Sequence, residues 1–276
     1  MTLNTRNRIL IFINCITIVF FILNLIFYFV CAAKGLIRFP DSKVVRDVYI
    51  LGLNKLFTPS ITAVCLSILM FSFAAALESI LILRIFEKTQ ALEVIFFMVF
   101  ICSCFAEQSR ILLAAMPSVQ GNRLTFEIVT RLVVASRILA PLSLFFSTVF
   151  FEWDQRQNIL RNVLIMVLVS ATLGVYYPLN TEIRTSILTL GWGFPSVLAT
   201  VRIVFVLGAV SSLIYYSVVK GSSDYIRILV GLIVLSSGYF FLCGADNYVI
   251  FIAGTALFAF GSFRYMKGLH HLYKWR

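Results

Sequence analysis

Eight runs of predominantly apolar residues follow one another along the chain: 9–33, 61–83, 94–116, 126–151, 159–177, 196–219, 226–244 and 248–266. About 20 such residues, rising 1.5 Å each as a helix, cover the hydrocarbon of a bilayer. Backbone N–H and C=O groups find no partners in lipid, so each run must satisfy them within itself. The predicted fold class is therefore all-α: a polytopic transmembrane bundle of about eight spanning helices. It forms one integral-membrane domain over 1–276, with no soluble domain. Pro59-Ser60 and the polar stretches 87–90, 117–122, 152–158, 220–224 and 245–247 separate the runs. Short connections make spans 2 and 3, 3 and 4, 6 and 7, and 7 and 8 antiparallel neighbours.

Composition agrees. Only 13% of the 276 residues are charged and 61% are hydrophobic, against about 25% charged in soluble domains. The mean hydropathy is +0.97. A net charge of +11 suits loops held at an anionic membrane surface. No basic run with interleaved aromatics occurs, so nucleic acid is excluded as a partner and the lipid bilayer is the first one. Side A, which carries both termini, collects twelve Lys and Arg outside the spans and side B collects seven. That bias places both termini in the cytoplasm, in the inner membrane if the source is bacterial. The lack of any Asn-X-Ser/Thr sequon fits such a source. Arg6 and Arg8 precede a first apolar run too long for a secretory signal, so it reads as an uncleaved span.

Two stretches outside the spans stand apart. In 42–57, Val44, Val45, Val48, Leu51 and Leu56 recur at helical spacing opposite Lys43, Arg46, Asp47 and Asn54. This predicts an interfacial helix, with a solvated loop as the alternative. The segment PLNTEIRTSILTLGWGFP at 178–195 reads as a re-entrant turn or, preferably, an interfacial anchor through Trp192. Glycines recur every seven residues, at Gly231 and Gly238 and again at Gly254, Gly261 and Gly268. Two turns return to nearly the same helix face, so these stripes predict close packing of the last two spans.

The charged residues within the spans carry the functional signal. Each Arg at a helix centre costs about 2.5–3.5 kcal/mol on insertion, yet the spans hold Arg110, Arg131, Arg137 and Arg202 with Glu107. At 1.5 Å per residue, Arg110, Arg131 and Arg202 lie about 8–9 Å below side B, Glu107 about 14 Å and Arg137 about 17 Å. Glu107 can pair with Arg110 in its own turn, or with Arg131 or Arg137 across the hairpin of spans 3 and 4. Glu127 and Arg131, four apart, make a second pair. Glu78 and Glu127 are near enough to span ends to reach the interface.

A single level of arginines predicts a ligand site open toward side B for an anionic small molecule or lipid headgroup. Snorkelling of each arginine to the interface, and a Glu–Arg pair that only fixes packing, are the structural alternatives. Catalytic parts are lacking: the two histidines sit in the tail, no Asp falls in a span, and no phosphate-cradling Gly-rich loop occurs. The six cysteines have no metal-ligand spacing. No cofactor, metal or catalytic residue is therefore expected. The favoured function is a non-enzymatic, receptor-like binding module that passes its state to a separate signalling or transport partner. Alternatives are a small transporter or lipid translocator using Glu107 and Arg137, with Pro141 as a helix break, and an intramembrane lipid-modifying enzyme.

Overall fold

A computed structural model describes residues 3–37, 57–86, 93–116, 120–149 and 159–274. Eight helices, all long and apolar enough to cross a membrane, run alternately up and down: α1 (Leu3–Ala33), α2 (Ile61–Phe86), α3 (Glu93–Ala114), α4 (Arg123–Val149), α5 (Ile159–Tyr176), α6 (Pro195–Lys220), α7 (Ser223–Cys243) and α8 (Tyr248–Lys274). Both described termini lie at one end of the bundle, end A. α1 begins before residue 9 and α8 continues past residue 266, longer than hydropathy alone delimits. The amphipathic segment 42–56 lies outside the described residues.

Local chemistry sets several boundaries. Pro195 opens α6 at its first turn, where a missing N–H costs nothing. Gly221 closes the helix in the left-handed region at φ 61°. Ser222 then caps α7 by accepting from the Asp224 amide at 3.3 Å. Pro141 does not break α4, which runs through it. It cannot donate to the carbonyl of Arg137, four residues back.

The core lies among α2, α3, α4, α7 and α8, with α1, α5 and α6 at the rim. The glycine stripes of α7 and α8 face each other. A Cβ on Gly238 would stand 2.3 Å from the Phe258 nitrogen, and one on Gly261 2.3 Å from the Leu235 nitrogen. The two backbones are thus in direct contact, as the heptad spacing predicts.

At end B the chain adds a two-stranded antiparallel hairpin, β1 (Leu179–Arg184) and β2 (Leu190–Trp192). Its turn places Leu188 at φ 67°, a conformation unfavourable to a branched side chain. Burial of Leu188 against Val64, Ile68 and Ile111 offsets that cost. The hairpin roofs the bundle: the Leu190 amide donates to Thr130 Oγ1 at 3.1 Å, and Ser186 meets Asp246 at 3.3 Å.

Glu78 is also placed differently from the expectation at an interface. It is buried, eight residues before the end of the longer α2, where α8 covers it and Ser262 faces it.

Candidate functional site

α3 is α-helical to Ala106, tightens into a 3₁₀ turn at Glu107–Ser109, and resumes at Arg110. A 3₁₀ turn has three residues per turn, so positions i and i+3 eclipse. Glu107 and Arg110 therefore share one face, with Arg110 Nε 2.9 Å from Glu107 Oε2. Arg137 approaches from α4 and grips the same carboxylate side-on, Nε to Oε1 at 2.7 Å and Nη2 to Oε2 at 3.2 Å. Arg137 Nη2 also donates to the Cys243 carbonyl at the end of α7, at 2.9 Å. Glu107 and Arg110 are 0% exposed and Arg137 is 1% exposed. Neither arginine snorkels.

Arg202 arrives from α6. Its guanidinium lies over the Phe240 ring at 4.5 Å and faces the Tyr239 ring at 5.9 Å, within electrostatic range of Glu107. Two guanidinium groups thus contact one carboxylate, and a third lies within electrostatic range of it. No second carboxylate among the described residues forms an ion pair with any of them. Arginine stays protonated in proteins, so two positive charges are uncompensated by contact. Buried nitrogens also lack acceptors: Arg110 Nη2 and the Nε and Nη2 edge of Arg202, with Trp192 Nε1 and the Tyr239 hydroxyl beside them.

Arg131 does not join this group. It is 28% exposed, pairs with Glu127 at 2.7 Å, and donates to the carbonyls of Val175 and Tyr177 where α5 ends. The Glu127 pair is the one its four-residue spacing predicts. Arg137 follows Arg131 by six positions, about 600° of helix, so the two side chains point some 120° apart. That spacing was the available signal that the two cannot line one site.

The hairpin supplies residues that a reading of the spans passes over. Trp192 is not free to anchor in lipid: its ring receives the Arg137 guanidinium at 5.1 Å. Arg110 Nη1 donates to the Ile187 carbonyl at 3.4 Å. Arg184 reaches the C-terminal carbonyls of α3, Leu113 at 2.5 Å and Met116 at 3.3 Å, where the helix dipole is negative. Burial lowers the pKa of its guanidinium from the ordinary value. Gln108, beside the pair, bonds Asn24 of α1 at 2.6 Å and Ser72 of α2 at 2.9 Å. Replacing Arg184 with alanine removes two carbonyl contacts and is expected to loosen the roof by about 1–3 kcal/mol. Faster hydrogen exchange at amides 185–193, with the α7–α8 hairpin unchanged, would register it.

The described residues hold no group of three or more potential metal ligands. All six cysteines are free thiols. The sequence matches no family model, and comparisons with curated proteins and with solved structures return no match.

Proposed function

We propose that this chain is a multi-pass integral membrane protein whose end-B cluster recognises an anion, as a binding or receptor-like module rather than an enzyme. One observation carries the reading: the buried carboxylate of Glu107 is shared by Arg110 and Arg137, and the nearby Arg202 has a side-on edge with no acceptor. Each buried charge costs several kcal/mol to desolvate, and unmatched charge is the expensive part. An oxyanion would supply both the missing charge and the missing acceptors. The non-enzymatic reading is supported by the placement of Glu107. Held by two arginines, it is not poised to take a proton as a general base.

Thermal unfolding of the detergent-purified protein tests this reading. Inorganic phosphate, sulfate or a short-chain phosphatidylglycerol is expected to raise Tm at matched ionic strength. Arg202→Gln should abolish the shift while the unliganded protein remains folded. A Tm that no anion raises, or that rises equally in the variant, contradicts the proposal.

A further inference from the structure

We infer that the ligand is the phosphate group of an anionic phospholipid, entering sideways between α6 and α7 from the leaflet at end B. This inference rests on the anion site proposed above and adds the source and the route. The aqueous route is roofed. Leu188, Thr189 and Leu190 of the hairpin are buried, and the chain at Ile187 is bonded to Arg110. The lateral route is different. Of the three clustered arginines, Arg202 alone keeps partial exposure, with its Nε and Nη2 edge turned into the protein, and Ala199 and Ile203 beside it on α6 are exposed, as is Phe241 on α7.

Depth agrees with a lipid source. The 26 residues of α6 span about 39 Å, so each end projects about 5 Å beyond some 30 Å of hydrocarbon. Arg202 stands seven residues into the helix, and its backbone is then about 6 Å inside the hydrocarbon edge. A guanidinium at that depth draws headgroups inward and thins the bilayer locally. Its chemistry fits as well. Nε and Nη2 form the side-on edge that takes two oxygens of a phosphate, the same edge Arg137 uses on Glu107. On Arg202 both nitrogens lack an acceptor. The Arg110 Nη2 and the Tyr239 hydroxyl, on fully buried side chains, are unpartnered as well.

The test is a titration of delipidated protein in a neutral detergent, read by native mass spectrometry. Dioleoyl phosphatidylglycerol, dioleoyl phosphatidylcholine and inorganic phosphate are the three probes. The phosphatidylglycerol is expected to bind, and Arg202→Gln should weaken it roughly ten- to hundredfold. Arg202→Lys, which keeps the charge but loses the two-pronged edge, should weaken it too, so a misfolded first variant does not decide the matter. Equal binding of phosphatidylglycerol by wild type and both variants overturns the inference, as does equal affinity for the phosphatidylcholine. Arg202-dependent binding of inorganic phosphate alone overturns the lipid source while leaving the anion reading intact. Binding of none of the probes overturns both.

Discussion

Glu107→Ala is expected to lower the stability of the detergent-solubilised protein by about 3–5 kcal/mol, the usual cost of removing one partner from a buried ion pair. The carboxylate contacts Arg137 at two points and Arg110 at one, with the Ser136 hydroxyl at 3.4 Å. Its removal strands two guanidinium groups that are fully buried. Glu107→Gln keeps the shape and one acceptor, so its loss should be smaller. The order of melting temperatures is then wild type, Glu107→Gln, Glu107→Ala. An alanine variant that melts with the wild type would mean that these ion pairs do not form.

An equally large effect is expected for Gly238→Val, by a different mechanism. A Cβ there lies 2.3 Å from the Phe258 nitrogen and 2.6 Å from its Cα. These are backbone atoms, which no rotamer change can move. Relief requires α7 and α8 to separate along a seam where a Cβ on Gly261 would come as close, one on Gly231 to 2.7 Å and one on Gly254 to 3.0 Å of the facing backbone. Overpacking a core by a few methylenes costs about 1–3 kcal/mol. A backbone clash that opens a whole helix pair should exceed that and prevent recovery of monodisperse protein. Gly244→Ala is the matched control, because its nearest foreign atom is 3.7 Å away. Its size-exclusion profile should match the wild type. Equal behaviour of the two variants would mean that the stripe is not a packing seam.

Much of the architecture follows from one-dimensional signals. Hydropathy marks the eight helices because lipid forces backbone satisfaction within each segment. Seven-residue glycine spacing marks the α7–α8 seam because two helical turns nearly return to the same face. Rise per residue places Arg110 and Arg202 at similar depth, but depth is not direction. Only the order of helices around the bundle decides that Arg137 and Arg202 turn inward while Arg131 turns to α5. The hairpin was not legible because its turn uses Leu188 at positive φ, where sequence rules look for glycine or asparagine. The 3₁₀ turn at Glu107 likewise leaves no local mark, although it is what sets Arg110 against that carboxylate.

A cryo-EM map of the protein in nanodiscs containing phosphatidylglycerol tests the central claim most directly. The expected map has Arg110 and Arg137 on the Glu107 carboxylate and Arg202 turned inward beside them, with phosphate density against Nε and Nη2 of Arg202. Arginines splayed apart, with Arg202 extended to the headgroup layer and no density at the cluster, would contradict it.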